Sequence, residues 1–195
     1  MIYRELGDTG FKVSRLGFGA MRPPYEDEAK TEISSDLFLA IMHRAIDLGV
    51  NYFDTAHVYQ SGGSEEHVGR AVAGRRDDIV IQTKVPVQKK VTDWHNMMKT
   101  SLKRLGTHID ILFMHGLRWE QTQLRSWEGI LRRAQKAVDK GDVRVLGFSC
   151  HDTPENMHKL IDTGLFKVML LQYNLLNRTN EEVIDYAHDK GMGVV

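Results

Sequence analysis

The chain is poor in cysteine and has no excess of charge of either sign, and each shortage excludes a class of protein. Its 195 residues include a single cysteine, Cys150, which leaves no internal disulfide framework and no four-cysteine metal site, and which suits a reducing cytosol. Lysine plus arginine and aspartate plus glutamate both total 26. That balance argues against a nucleic-acid-binding protein, because such proteins carry a basic excess.

Long apolar runs are also missing. No stretch approaches the roughly 18 apolar residues of a membrane span, and the amino terminus is polar and charged within a few residues. We therefore expect no membrane anchor, no signal peptide and a cytoplasmic location.

No Gly-x-Gly-x-x-Gly segment follows a predicted strand, which leaves a Rossmann-type cofactor loop unsupported. The chain instead repeats one unit: a capped amphipathic helix, a glycine, a few polar residues and an apolar strand. Counting gives seven strand starts with six helices between them. Such alternation predicts parallel strands joined by right-handed crossovers, in either a closed barrel or an open doubly wound sheet.

Three local patterns predict the structure at the beginning of the chain. Residues 3–6 and 11–14 flank a Gly-Asp-Thr-Gly turn, which predicts a β-hairpin. Residues 21–30 contain two prolines and three acids, so we expect a surface loop above the site, with Tyr25 as its residue best suited to contact a substrate. The first helix is predicted to begin near residues 34–36 and to carry its apolar face on Leu37, Ile41, Ala45 and Leu48.

Three consecutive predicted strands end in residues that suit chemistry. The strand at 50–53 leads into Asp54, the strand at 79–83 into Lys84, and the strand at 109–114 into His115, while Tyr59 follows on the first loop. Each residue alone has an ordinary structural explanation: a cap for Asp54, a solvated Lys84 and a core His115. Together they favour the barrel, where every strand ends at one mouth.

The segments that carry these residues resemble one known family. They are FDTAHVY at 53–59, TKV at 83–85 and DILFMH at 110–115, and the segments at 4–21, 147–149 and 172–174 are also similar to family segments. The family is the aldo-keto reductases, NAD(P)H-dependent carbonyl reductases built on a (β/α)8 barrel. The resemblance implies that Asp54, Tyr59, Lys84 and His115 form a catalytic tetrad.

The resemblance also implies a fold: an α/β, TIM-type (β/α)8 barrel whose floor is plugged by the amino-terminal hairpin. We expect residues 1–195 to form a single domain. Because a complete barrel typically needs about 250 residues, we expect the chain to stop inside strand seven. Unclosed barrel edges would then favour self-association.

Carbonyl reduction requires a hydride donor and an acid. No side chain donates hydride, so a nicotinamide cofactor is implied, NADPH first and NADH as the alternative. Tyr59 is the natural acid, although a free phenol has a pKa of about 10. Lys84 would stabilise the phenolate, Asp54 would hold Lys84, and His115 would orient the substrate oxygen.

The resemblance assigns further residues to the cofactor, and positions in the predicted loops suggest residues for the substrate pocket. Ser149 and Gln172 match positions that hold the nicotinamide carboxamide, with Asn174 nearby and Cys150 where many members have asparagine. The alternative for Ser149 and Gln172 is that they only satisfy loop backbone. The predicted substrate pocket consists of Tyr25, His57 and Trp119. No second ligand stands at metal spacing beside His57, so we predict no metal site.

Three functions remain open at this point. The leading hypothesis is an NADPH-dependent reductase of small aldehydes or ketones. The second is a cofactor-binding regulatory subunit that senses redox state for a protein partner. The third is an inactive fragment of a longer reductase.

Overall fold

An antiparallel hairpin begins the chain, and a single parallel sheet follows it in this computed structural model, which describes residues 1–29 and 32–195. The hairpin strands are β1 (Tyr3–Glu5) and β2 (Lys12–Ser14). The parallel strands are β3 (Phe18–Gly19), β4 (Tyr52–Asp54), β5 (Val80–Pro86), β6 (Ile109–His115), β7 (Val143–Cys150), β8 (Val168–Leu171) and β9 (Gly193–Val194). They lie side by side in chain order, as short right-handed crossovers require.

Six helices join these strands. They are α1 (Ser35–Asp47), α2 (Gly63–Val72), α3 (Val91–Leu105), α4 (Trp127–Asp139), α5 (Pro154–Asp162) and α6 (Glu181–Asp189). Local sequence explains several of their ends. Thr153 caps α5 by accepting a hydrogen bond from the Asn156 amide, with Pro154 in the first turn, and Gly106 ends α3 in the left-handed conformation at φ 66°.

The predicted α/β class and barrel-type strand order are confirmed, in the form of a half-barrel. Among the described residues, β3 and β9 are the edges of the seven-stranded sheet and do not pair with each other. No helix in the described part of the chain has both the length and the apolar character to cross a membrane. Residue 30, the last of the predicted loop at 21–30, lies outside the described residues.

The sheet has an apolar cluster on each face because alternate strand residues point to opposite sides. The outer cluster, the larger of the two, packs the strands against the helices. The inner cluster joins the hairpin to the concave face of the sheet and consists of Leu6, Phe11, Val13, Tyr52, Val80, Ile111, Phe113 and Val168.

The hairpin closes the amino-terminal end of the half-barrel, as predicted for a floor plug. Its turn is tied to the end of the chain, where the Asp8 amide donates to the Gly191 carbonyl at 2.8 Å. Gly193 begins β9, and a Cβ atom there would lie 2.7 Å from Cγ of Leu6. Only glycine lets the hairpin approach β9 this closely.

The prediction for the buried face of α1 was wrong for three of its four residues, and only Ala45 packs against the outer cluster. Leu37, Ile41 and Leu48 are 51%, 40% and 55% exposed, whereas Phe38 and Met42 are buried. The helix carries two apolar stripes offset by one residue, and periodicity alone does not choose between them. The buried stripe contains Phe38, whose ring packs 5.4 Å from that of His67 on α2 and 6.3 Å from that of Phe18 on β3.

We expect Met42→Ala to lower the free energy of unfolding by about 2–5 kcal/mol, because it leaves a cavity in the core. The neighbouring Ile41→Ala should change it by about 0.5 kcal/mol or less, because Ile41 lies on the exposed stripe. Urea unfolding followed by tryptophan fluorescence on the 195-residue chain measures both values. Equal losses for the two variants would contradict the observed orientation of α1.

Self-association stays a prediction. Strands β3 and β9 each present one unpaired backbone edge within the described residues, and such edges pair with other chains. We expect the mass of a protein made of residues 1–195, measured by light scattering, to rise with concentration. The mass of a single chain at every concentration would contradict this expectation.

Candidate active site

The candidate site lies at the carboxyl ends of β4, β5 and β6, which meet at the same edge of the sheet. Asp54 is the last residue of β4 and His115 is the last residue of β6. Lys84 was predicted to end its strand, but β5 continues to Pro86, which lies opposite His115 in the register. Lys84 therefore lies two residues before the end of β5, just inside the mouth of the half-barrel.

Lys84 is the centre of the site. Its side chain is only 3% exposed, and its ammonium lies 2.6 and 2.8 Å from the two carboxylate oxygens of Asp54. It also donates to the Thr55 carbonyl at 2.9 Å and to the Tyr59 hydroxyl at 3.2 Å. An ammonium has three protons, so a carboxylate, a carbonyl and a phenol satisfy it completely.

Tyr59 and His115 face each other across the mouth. Their ring centroids are 5.9 Å apart and the rings are nearly perpendicular, at 86°. The Lys84 ammonium also lies 4.7 Å from the centroid of the Tyr59 ring. The structure thus brings all four predicted tetrad residues together, while their catalytic roles stay predictions.

Two side chains that sequence reasoning missed extend this group into the sheet. The Gln82 amide donates to Asp54, and the Tyr52 hydroxyl donates to Gln82. Burial, with the Asp54 carboxylate adding to it, raises the pKa of Tyr52 well above its usual range, so this phenol remains a donor. A sequence signal was present: Gln82 is a polar residue two positions before Lys84 in an apolar strand, hence on the same face.

The surroundings shift two more ionisation equilibria. Burial raises the pKa of the Asp54 carboxyl, while the Lys84 ammonium and the Gln82 amide oppose the rise. Burial also lowers the pKa of His115 from 6.5 to about 4, with smaller contributions from Lys84 and His151. The His115 imidazole is therefore neutral near pH 7 and offers a hydrogen-bond donor without a positive charge.

The comparisons with known proteins agree with this geometry. The model of the aldo/keto reductase family matches residues 15–195. The chain belongs to this family. A relative, the versiconal hemiacetal acetate reductase of Aspergillus parasiticus, is 29% identical over 232 residues, which cover 100% of the chain and 66% of the relative.

Two solved reductases are similar in structure. The holo form of aldo-keto reductase AKR11C1 from Bacillus halodurans superposes with a TM-score of 0.83 at 29% identity. The match covers 100% of the present chain and 65% of the Bacillus halodurans chain. An aldo/keto reductase from Klebsiella pneumoniae in complex with NADP and acetate superposes with a TM-score of 0.77 at 27% identity. This match covers 94% of the present chain and 63% of the Klebsiella pneumoniae chain. The chain thus spans slightly less than two thirds of the length of these three reductases.

The residues predicted to bind the cofactor in this aldo/keto reductase family member fall into two groups. Ser149 accepts a hydrogen bond from the Gly116 amide at 2.8 Å, so it does satisfy loop backbone, yet its own hydroxyl proton makes no further hydrogen bond among the described residues. The exposed Gln172 side chain lines an open cleft of about 480 Å³ beside Arg118, His151 and Asn177. These two residues remain candidates.

Cys150 and Asn174 also stay predictions: Cys150 lines the same cleft as Gln172, whereas Asn174 does not line it. The Cys150 thiol belongs to the outer cluster and donates to the Leu117 carbonyl at 3.1 Å, because residues next to each other in a strand face opposite sides. Burial raises its pKa to about 11. The Asn174 side-chain oxygen accepts from the amides of Leu176 and Asn177, which closes a local turn.

The three predicted pocket residues also differ in position. Tyr25 is half-buried in its loop and forms an isolated antiparallel bridge with Ile33. His57 turns away from the tetrad toward α3, where its Nδ1 lies 3.1 Å from the Ser101 hydroxyl. Trp119 packs against the outer cluster, with its ring 5.7 Å from the Lys159 ammonium on α5. The assignment of all three residues to the substrate pocket stays a prediction.

Among residues 1–29 and 32–195, no group of three or more His, Cys, Asp or Glu side chains is placed to share a metal ion.

We expect His115 to titrate with a midpoint near pH 4 in the cofactor-free protein, as followed by NMR of labelled histidine. Because the pKa of His115 is lower in the folded state, the unfolded state binds more protons than the folded state at pH values below 6.5. The free energy of unfolding should therefore fall as the pH drops from 6.5 toward 4. His115→Gln, which does not titrate, should remove this part of the slope, and a midpoint near 6.5 would contradict the burial of the ring.

Proposed function

We propose that the protein carrying this chain reduces the carbonyl group of an aldehyde or ketone with NADPH as the hydride donor. The observation that carries the proposal is the Lys84 ammonium, which lies 3.2 Å from the Tyr59 hydroxyl and is held by both carboxylate oxygens of Asp54. A buried ammonium at this distance stabilises a phenolate, which is what a phenol needs to act as an acid near neutral pH.

Each tetrad residue has one task in this proposal. Tyr59 donates its hydroxyl proton to the substrate oxygen as negative charge develops there, and the Lys84 ammonium stabilises the phenolate that remains. The neutral His115 imidazole donates a hydrogen bond to the same substrate oxygen and orients the carbonyl. Asp54 fixes the ammonium, and Gln82 fixes Asp54.

The cofactor proposal rests on the cleft beside the mouth and on the family. A bound nicotinamide would supply the hydride that no side chain provides. Gln172 in the cleft and the free hydroxyl proton of Ser149, which lies outside the cleft lining, suit its carboxamide. Arg118 gives the cleft a cationic donor for a diphosphate, and the Asp152 carboxylate in the same lining offsets part of its charge. The NADP in the Klebsiella pneumoniae reductase supports NADPH over NADH.

We expect Tyr59→Phe to lower kcat with NADPH and a nitrobenzaldehyde by at least about 100-fold, because the proton donor is lost. Binding of NADPH, followed by quenching of tryptophan fluorescence, should hardly change. The matched control is Tyr186→Phe, which removes a surface hydroxyl that bonds Asp162 on α5 at 2.6 Å. Lys84→Met should resemble Tyr59→Phe.

Turnover by Tyr59→Phe close to that of the unaltered protein would refute the role of Tyr59. If the unaltered complete protein bound NADPH and reduced no reactive aldehyde, the reductase proposal would fall. The cofactor-binding regulatory subunit would then be the better description.

A further inference from the structure

The turn that carries Tyr59 has an unfavourable backbone conformation. Tyr59 begins a short 3₁₀ segment, in which Gln60 and Ser61 have φ angles of 45° and 53° and Gly62 has a φ of 106°. Two consecutive non-glycine residues with positive φ destabilise a turn, because their side chains crowd the backbone. Contacts from elsewhere must therefore hold this turn in place.

Arg104 on α3 supplies such contacts on both sides of Tyr59. Its guanidinium donates to the His57 carbonyl at 3.0 Å and to the Ser61 carbonyl at 3.2 Å. These carbonyls lie two residues before and two residues after Tyr59. The approach is so close that a Cβ atom on Gly62 would lie 2.0 Å from the guanidinium carbon.

Glu65 on α2 fixes Arg104 in turn. The Glu65 side chain is completely buried, and one of its oxygens lies 3.3 Å from Nη1 of Arg104. Its other oxygen accepts a hydrogen bond from the Thr83 hydroxyl at 2.6 Å. Thr83 directly precedes Lys84 in β5, so this chain of contacts links the backbone of the Tyr59 turn to the strand that carries the ammonium.

We propose that Arg104, held by Glu65, is a positioning residue that sets the place of the Tyr59 hydroxyl relative to Lys84 and His115. The inference rests on the proposed role of Tyr59 as proton donor. In the structure Arg104 bonds two backbone carbonyls and Glu65, its Nη1 lies 3.4 Å from Nδ1 of His57, and it forms no hydrogen bond with a tetrad side chain. In this proposal Arg104 acts only through the turn. Its loss should therefore slow the chemical step without weakening NADPH binding.

The chain offers a matched control at the opposite end of β5 and β6. Arg76 is also a mostly buried arginine, with its side chain 13% exposed, and it is paired with the buried Asp110 at 2.7 Å. It too bonds backbone carbonyls, those of Ile79 and His108. Removing either guanidinium takes a charged partner from a buried carboxylate. Asp110 keeps Arg144 at 3.2 Å, whereas Glu65 keeps the Thr83 hydroxyl, so Arg104→Ala should lose more stability, and kcat is compared at a temperature where both variants are folded.

The test uses the complete active protein and compares Arg104→Ala with Arg76→Ala. Arg104→Ala should lower kcat by about 10- to 100-fold, as expected when a reacting group is misplaced by about 1 Å. KM for NADPH should change less than about twofold, since no cofactor contact is lost. Added guanidinium ion, well below denaturing concentration, should restore part of the kcat of Arg104→Ala and none of any loss in Arg76→Ala.

A double variant keeps the test valid if Arg104→Ala fails to fold. Glu65→Gln with Arg104→Gln removes both charges together and leaves no buried unpaired ion, and it should show the same selective loss of kcat. The inference is overturned if Arg104→Ala and the double variant lose no more kcat than Arg76→Ala. It is equally overturned if their loss appears as weaker NADPH binding.

Hydrogen exchange separates this inference from the proposed function. Amides in residues 57–62 should exchange faster in Arg104→Ala than in the unaltered protein, and not in Arg76→Ala. This readout needs no turnover, so it decides the positioning role even if the protein proves not to be a reductase. Unchanged exchange in this segment would overturn the inference, while absent turnover in the unaltered protein would overturn only the proposed function.

Discussion

The burial of the Lys84 ammonium is the constraint on which the rest of the site depends. A charged group that is 3% exposed is stable only when every proton has a partner. Its partners come from the end of β4, from the Thr55 backbone and from the Tyr59 turn. These segments must therefore meet at one point, which requires β4 and β5 to be adjacent, parallel and in the observed register.

The concave face of the sheet changes in character from floor to mouth. Along β5, Val80 lies in the inner apolar cluster, while Gln82 and Lys84, two and four residues on, belong to the polar chain. Along β6, Ile111 and Phe113 lie in the same inner cluster and His115 ends the strand at the mouth. The hairpin can thus seal the floor with apolar side chains without removing a hydrogen-bond partner from the site.

Sequence reasoning predicted what depends on local order and failed where distant contacts decide. The β/α alternation, the hairpin and the meeting of Asp54, Lys84 and His115 follow from periodicity and from the rule that parallel strands end at one edge. The buried face of α1 did not follow, because both of its stripes are apolar. Nor did the orientations of His57 and Cys150, since each is set by a residue on another element: Ser101 for His57 and Leu117 for Cys150.

A buried carboxylate paired with an arginine lies at each end of β5, but the two arrangements differ in consequence. At the floor, Asp110 gathers Arg76, Arg144 and the Ile81 amide, and everything it binds lies within the scaffold. At the mouth, the Glu65 and Arg104 pair binds the backbone of the turn that carries Tyr59, the proposed proton donor. The same physical device therefore stabilises the fold at one end and, through the strained turn, orients Tyr59 at the other.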